Sequence, residues 1–140
     1  MSALLQGCRL DLLGLHSVLT VSCERPLLRV LVADDHELTR FSLKLALKNH
    51  SGIELVGIAT NGLEAIDCVR ECMPDVVILD LQMPIVDGLT AAGEIKNLFP
   101  GIQILAYSFL EDNLVDQLLR DSVIDGICRK DTPLLKLLLA

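Results

Sequence analysis

The sequence is poor in basic residues: 12 Lys and Arg against 19 Asp and Glu give a formal net charge of -7 over 140 residues. Direct binding to nucleic acid requires clustered Lys and Arg, so we expect none by this chain. The same acidic balance disfavours an anionic membrane surface as a partner. Apolar residues nevertheless make up 51% of the chain, which predicts a folded domain and not a disordered segment.

The N-terminal region lacks the features of a membrane segment. Its apolar piece, residues 12–21, is shorter than the roughly 20 residues that a spanning helix needs. Arg9 and Asp11 precede this piece, and an acid at its edge disfavours a signal peptide, which leaves lipid modification of Cys23 as the alternative. We therefore expect a cytoplasmic protein in which residues 1–27 are a disordered extension, a short docked helix, or sequence translated from a misassigned start.

The sequence also lacks a Cys-x-x-Cys pair, and its cysteines number five, which is odd. A disulfide framework or a zinc site usually shows paired cysteines at regular spacing. Cys68 and Cys72 lie four residues apart on one predicted helix, a spacing that suits a packed face. We predict buried free thiols in a reducing compartment, with a metal or disulfide role as the alternative.

From residue 28 onward, short apolar runs alternate with segments of helical periodicity. We predict strands at 28–33, 53–59, 75–80, 102–107 and 125–129, and helices at 36–49, 63–72, 89–99, 111–121 and 134–140. This alternation predicts an α/β fold: a flavodoxin-like, doubly wound three-layer sandwich with a parallel sheet of order 2-1-3-4-5. Residues 28–140 are expected to form one domain, with no second domain after it.

Asp80 ends the run that is most informative about function. Four consecutive aliphatic residues, 76–79, precede it, which is typical of a strand buried on both faces. Pro84 prevents the strand from continuing, and Asp87 with Gly88 predicts a tight turn. Asp80 is therefore predicted at the carboxyl end of a central strand, where open parallel sheets bind their ligands.

Other polar residues are predicted at the same edge of the sheet: Asp34 and Asp35 follow the first strand, Ser108 the fourth and Lys130 the fifth. If the first and third strands are neighbours, their ends lie ~5 Å apart. Three carboxylates at that spacing require a proton or a cation, and Mg²⁺ suits a half-open acidic cup. Lys130 and Ser108 would complete an electrostatic clamp for a phosphoryl group, with Asp80 as the nucleophile.

Four stretches of the chain closely resemble the motifs of response-regulator receiver domains. They are Leu31-Val32-Ala33-Asp34-Asp35-His36, then Val77-Ile78-Leu79-Asp80-Leu81-Gln82-Met83-Pro84 with Asp87-Gly88, then Ala106-Tyr107-Ser108, and finally Cys128-Arg129-Lys130-Asp131. The resemblance extends from about residue 28 to the C-terminus. The Asp-Asp-His opening and the Lys-Asp-Thr-Pro closing look most like receivers of the nitrate-response type, which precede a helix-turn-helix DNA-binding domain.

The resemblance implies a phosphoprotein of a two-component system that acts in transcription regulation. Asp80 would accept phosphate from a histidine kinase or a small phosphodonor, Lys130 would pair with the phosphoryl oxygens, and the hydroxyl of Ser108 would move toward the phosphate. The domain would catalyse only its own phosphorylation and dephosphorylation. A homodimer would use the face made by the fourth helix, the fifth strand and the fifth helix.

The resemblance also implies a metal site. Asp35 and Asp80 would ligate Mg²⁺ directly, the backbone carbonyl of Gln82 would be a third protein ligand, and Asp34 would act through water. His36 follows the acids, but no second histidine has ligand spacing, so we interpret it as a surface residue at the start of a helix.

One position departs from the family pattern. Receivers usually have Tyr or Phe three residues before the lysine, and this sequence has Ile127 there. An aliphatic side chain cannot fill the same volume when the hydroxyl of Ser108 moves. Tyr107 and Phe109 flank that serine, and either is a candidate substitute.

Two other functions remain as alternatives. A pseudo-receiver would keep the fold as a phosphate-independent interaction module, which Ile127 favours and the complete set of acids, hydroxyl and lysine disfavours. A phosphatase with an aspartyl nucleophile would carry a second Asp two residues after Asp80, and Gln82 stands there without a proton to donate. Each residue alone also has a simpler role, such as helix capping by Asp34 and Asp35.

Overall fold

A computed structural model of the chain describes residues 27–109, 117, 120 and 123–130. Its strands are β1 (Leu28–Ala33), β2 (Ile53–Ala59), β3 (Val76–Leu79), β4 (Gln103–Ser108) and β5 (Gly126–Arg129), and its helices are α1 (Glu37–Lys48), α2 (Gly62–Cys72) and α3 (Gly88–Leu98). The predicted extension up to residue 26 and the predicted helix at 134–140 lie outside the described residues. Of the predicted helix at 111–121, only residues 117 and 120 are described, and both are helical.

The five strands form one parallel sheet of order β2-β1-β3-β4-β5, as predicted. The order reverses between β1 and β3, which are hydrogen-bonded neighbours. Ala33 of β1 pairs with Leu79 of β3. The residues that follow this pair, Asp34 and Asp80, are therefore brought side by side at the carboxyl edge of the sheet.

Alternate residues of the central strands face two separate hydrophobic layers. Val30 and Val32 of β1 pack with Leu43 and Leu47 of α1 on one side of the sheet. On the other side, Leu31 belongs to a larger cluster that packs between the sheet and the helices α2 and α3. Its other members from the sheet and these helices are Ala33, Ala59, Ala65, Ile66, Val69, Val77, Leu79, Ala91, Ala92, Ile95 and Ile104. Burial on both faces explains why the strands are continuous apolar runs.

Side-chain caps fix the starts of two helices that follow the sheet. Asn61 accepts a hydrogen bond from the backbone N of Glu64 (2.9 Å) at the start of α2, and Asp87 accepts one from Thr90 N (2.7 Å) at the start of α3. At the other end of α2, Met73 adopts a left-handed conformation (φ 46°) immediately before a proline. The helix therefore stops where the residue before proline disfavours the helical region, as predicted.

The thiols are less buried than predicted. Cys128 is buried, but Cys68 and Cys72 are half-buried free thiols. The Cys72 thiol lies 3.5 Å from the carbonyl of Val56, so Cys72 belongs to the part of α2 that packs on β2.

Within the part of the chain that the structure covers, no helix combines the length and the apolar character needed to cross a membrane.

Gly88, the first residue of α3, lies directly against the backbone that follows β3. Its backbone N donates to the carbonyl of Leu81 (3.1 Å). A Cβ atom added at Gly88 would overlap the backbone carbonyl of Asp80, whereas one added at Gly93, in the same helix, would meet nothing within 4 Å. The absence of a side chain at Gly88 is therefore what lets α3 start against the backbone of the central strand.

We predict opposite effects for alanine at these two glycines. Gly88→Ala should lower the free energy of unfolding by at least about 2 kcal/mol, because backbone atoms must move to admit the methyl group. Gly93→Ala should raise it by about 0.5–1 kcal/mol, because alanine loses less conformational entropy in a helix. Urea denaturation of both variants and the wild type checks this, and equal midpoints for the two variants would contradict the close approach.

Candidate functional site

The turn after β1 carries two acids in different environments. The Asp34 side chain is 1% exposed, whereas that of Asp35 is 31% exposed. Asp34 Oδ1 accepts a hydrogen bond from the backbone N of His36 (2.8 Å), and Arg40 of α1 donates to the backbone carbonyl of Asp34 (2.8 Å). Neither acid caps α1, whose N-cap is His36 without a side-chain cap. These bonds fix the turn so that both carboxylates stand at the sheet edge.

Asp80 lies immediately after β3 and is 3% exposed. Its backbone N donates to the carbonyl of Ala33 (2.9 Å), which continues the parallel ladder one residue beyond the strand. Its Oδ1 accepts a hydrogen bond from the backbone N of Gln82 (3.0 Å). The carboxylate is therefore held by the loop that follows it, with Oδ2 directed at a different partner.

That partner is Lys130, which follows β5. Its Nζ lies 2.8 Å from Asp34 Oδ2 and 3.2 Å from Asp80 Oδ2, and its side chain is 7% exposed. The contact with Asp80 is also a hydrogen bond, whereas Asp34 Oδ2 has a charge partner but receives no well-directed hydrogen bond from the described residues. One ammonium group thus links the acids of two neighbouring strands.

The pKa of Asp80 and the pKa of Lys130 are both raised, which favours the charged form of the lysine but not the charged form of the aspartate. Burial raises the pKa of Asp80 and the charge of Asp34 adds to this, against the lowering effects of the Gln82 hydrogen bond and of Lys130. Burial alone would lower the pKa of Lys130, but its contacts with Asp34 and Asp80 outweigh burial and raise it. The lysine is therefore held charged, and Asp80 is a more basic carboxylate than an exposed one.

His36 is a surface residue at the start of α1, as predicted, but its contact with the acids of this site was not predicted. It is at the surface, with 65% of its side chain exposed, but its Nδ1 lies 3.1 Å from Asp35 Oδ1, 3.3 Å from Asp34 Oδ1 and 3.9 Å from Asp80 Oδ2. Asp34, Asp35, His36 and Asp80 each offer one atom to a group that spans no more than 4.8 Å, a spacing that fits a metal ion. The adjacency of His36 to the acids was the available signal.

Ser108 and Gln82 flank this cluster. Ser108 is the buried last residue of β4, and its carbonyl accepts a hydrogen bond from Lys130 N (3.0 Å). Gln82 is exposed and contacts Asp80 through its backbone N. The structure therefore brings Asp34, Asp35, Asp80 and Lys130 together and places Ser108 next to the lysine, while the roles of the Ser108 hydroxyl and the Gln82 carbonyl stay predictions.

The two candidate substitutes for the missing aromatic side chain lie in different environments. Tyr107 is buried in the cluster on the α1 side of the sheet, whereas Ile127 packs with Leu81 and Ala106 in another cluster. Phe109 is 70% exposed, and the centroid of its ring lies 5.8 Å from Lys130 Nζ. The centroid of the Tyr107 ring lies 5.9 Å from the same Lys130 Nζ, so Tyr107 and Phe109 both remain candidate substitutes.

Comparison with known proteins gives a consistent result. Residues 30–138 match the family described as the response regulator receiver domain. Response regulator protein VraR from Staphylococcus aureus is 39% identical over 106 residues, which cover 75% of this chain and 50% of VraR. The chain thus spans about half the length of the curated relatives it matches.

Solved structures agree with the fold. A DNA-binding response regulator of the LuxR family from Staphylococcus aureus superimposes with a TM-score of 0.73 at 25% identity, covering 79% of this chain and 92% of that one. The CheX-CheY-BeF3-Mg complex from Borrelia burgdorferi gives a TM-score of 0.73 at 25% identity, covering 79% of this chain and 84% of the matched chain.

We predict that Asp80→Asn stabilises the metal-free protein. The raised pKa of Asp80 means that its ionisation is disfavoured in the folded state, so the wild type loses stability as the pH rises from the ordinary carboxyl pKa through the raised one. The asparagine variant does not lose it, and its advantage should therefore grow from mildly acidic to neutral pH. Urea midpoints of both proteins across that range check the sign.

Two controls belong with this measurement. Asp67→Asn removes an exposed carboxylate from α2 and should change the midpoint little. Lys130→Met should instead destabilise by about 3 kcal/mol, because it leaves two buried acids without their counter-charge. A stabilising effect of Lys130→Met would show that the lysine does not hold the acids together.

Proposed function

Because the chain belongs to the response regulator receiver domain family and is a signalling module of two-component systems, we propose that Asp80 is its phospho-acceptor. The observation that carries this proposal is the convergence of Asp34, Asp35 and Lys130 on the buried Asp80 at one edge of the sheet. A carboxylate made more basic by burial, next to a cation, can attack phosphorus while the developing charge is stabilised.

Phosphoryl transfer to Asp80 forms one bond and breaks one. An oxygen of Asp80 forms a bond to phosphorus, and the bond from phosphorus to the imidazole nitrogen of a histidine kinase's phosphohistidine, or to the leaving oxygen of a small acyl phosphate, breaks. The leaving group keeps the electron pair, and an imidazole then takes up a proton. Lys130, already directed at Asp80 Oδ2, pairs with the phosphoryl oxygens, and the Ser108 hydroxyl approaches them from the end of β4.

A divalent cation supplies the remaining positive charge, and the residues present fit one. Asp34 and Asp35 at the end of β1 and Asp80 at the end of β3 offer oxygen donors within 4.8 Å of one another, as Mg²⁺ prefers. We assign Asp35, Asp80 and the Gln82 carbonyl as ligands, with Asp34 acting through water. The Borrelia complex supports this, since it contains Mg and BeF3 with a protein of the same fold.

Phosphorylation would change affinity for a partner, through repacking of the face that contains β5. The protein is proposed to be cytoplasmic, with residues 1–27 before a receiver at 28–140. A homodimer would form through the face made by the predicted helix at 111–121, β5 and the predicted helix at 134–140. The DNA-binding relative of the LuxR family supports an output in transcription regulation. The switch would use Ser108, with Ile127 at the position of the usual aromatic residue and Tyr107 or Phe109 as its substitute.

We predict that the full chain gains one phosphate when incubated with acetyl phosphate and Mg²⁺, as measured by intact mass. Asp80→Asn should abolish the gain, and Lys130→Met should slow it at least tenfold, because it removes the charge that stabilises the transferring group. Asp87→Asn is the matched control: it changes a carboxylate in the same loop, keeps the cap of α3, and should leave the gain intact.

Two results would contradict the proposal. A mass gain that persists in Asp80→Asn would place the phosphate on another residue. No gain by the wild type, in the presence of Mg²⁺ and with a folded protein, would favour the phosphate-independent interaction module.

A further inference from the structure

The ring nitrogen of His36 lies where a metal ligand would lie. Its Nδ1 is 3.1, 3.3 and 3.9 Å from one oxygen each of Asp35, Asp34 and Asp80. Ligand bonds of about 2.1 Å place neighbouring ligands of an octahedral ion roughly 3 Å apart and opposite ones roughly 4.2 Å apart. The distances from Nδ1 to Asp35 and Asp80 fall within that span, so one ion bound by these three side chains, with Asp34 beyond a water, needs little rearrangement of them.

The surroundings of His36 hold it in this position. Its backbone N donates to Asp34 Oδ1, and Arg40 anchors the carbonyl of Asp34 from α1. Asp34 Oδ2, which is buried, has only the charge of Lys130 opposite it and no well-directed hydrogen bond from the described residues. The carboxylate therefore keeps Oδ2 on Lys130 and Oδ1 on His36, so the imidazole lies beside the acids on a main chain that is fixed.

We propose that His36 Nδ1 is a metal ligand and makes this site selective for a divalent first-row transition ion over Mg²⁺. Mg²⁺ takes oxygen ligands, whereas imidazole suits ions such as Ni²⁺, Zn²⁺ or Fe²⁺. Adding one nitrogen to a set of carboxylates therefore raises affinity for the second class and leaves Mg²⁺ affinity nearly unchanged. The inference rests on the metal site of the proposed function and names the residue that sets its ion preference.

The same distances would also arise if His36 acted as a fixed positive charge that neutralises the acids. The two roles predict effects of opposite sign. A ligand that is removed weakens binding of a transition ion, whereas a competing charge that is removed strengthens the binding of every cation. Substitution of His36 therefore separates them, and its exposure of 65% means that the variant should fold.

The test is calorimetric titration of the chelator-treated full chain with Ni²⁺ and, separately, with Mg²⁺. We expect His36→Asn to weaken Ni²⁺ binding by about tenfold or more and to change Mg²⁺ binding by less than about twofold. His50→Asn is the matched control, because His50 lies in the loop after α1 and accepts a hydrogen bond from Gly52 N. It should leave both affinities unchanged.

The Asp80→Asn variant shows which part of the binding heat comes from this site. Heat of Ni²⁺ binding that the variant reduces is assigned to the site, and the remaining heat is assigned to thiols elsewhere. Unchanged Ni²⁺ affinity in His36→Asn overturns the inference, and so does tighter binding of both ions. In either case phosphorylation of the wild type with Mg²⁺ would leave the proposed function standing. If the wild type neither binds these ions at Asp80 nor gains phosphate, both proposals fail.

Discussion

The ammonium group of Lys130, shared between Asp34 and Asp80, is the interaction on which the site depends. Two carboxylates, each almost completely buried, stand on adjacent strands, and like charges so placed repel strongly in a medium of low polarity. The lysine relieves this repulsion without removing either charge. Its backbone is in turn fixed to Ser108 at the end of β4. The first, third, fourth and fifth strands are thus coupled at one edge through the side chain and backbone of a single residue.

This arrangement explains why the sheet is so regular where function needs it. The β1–β3 register sets Asp34 beside Asp80, and a slip of one residue would exchange the side chains that pack against α1 with those that pack against α2 and α3. The hydrophobic layers therefore do more than stabilise the fold. They determine which atoms meet at the edge and leave the polar residues in the loops that follow.

The strand order and the meeting of Asp34, Asp80 and Lys130 could be predicted, because apolar runs that end in polar residues are a local signal. The contact of the His36 ring with the acids could not be predicted, because it depends on the direction of one side chain in a turn that Asp34 and Arg40 hold. The boundary of β3 moved for a similar reason: Asp80 keeps the ladder hydrogen bond but turns to accept from the loop. Sequence patterns predict which residues face the core and where helices and strands end. The side-chain directions in the turns depend also on contacts between residues far apart in the chain.

The contact of Gly88 with the backbone of Asp80 has a mechanical consequence. Side chains usually separate a helix from the strand beside it, and their rotamers absorb small displacements. Here the backbone of Gly88 packs directly against the backbone of Asp80, with no side chain between them. A shift of the Asp80 backbone by a few tenths of an ångström would therefore displace the start of α3 by a similar amount. The acidic cluster is thus mechanically coupled to a helix that contributes no acid to the cluster.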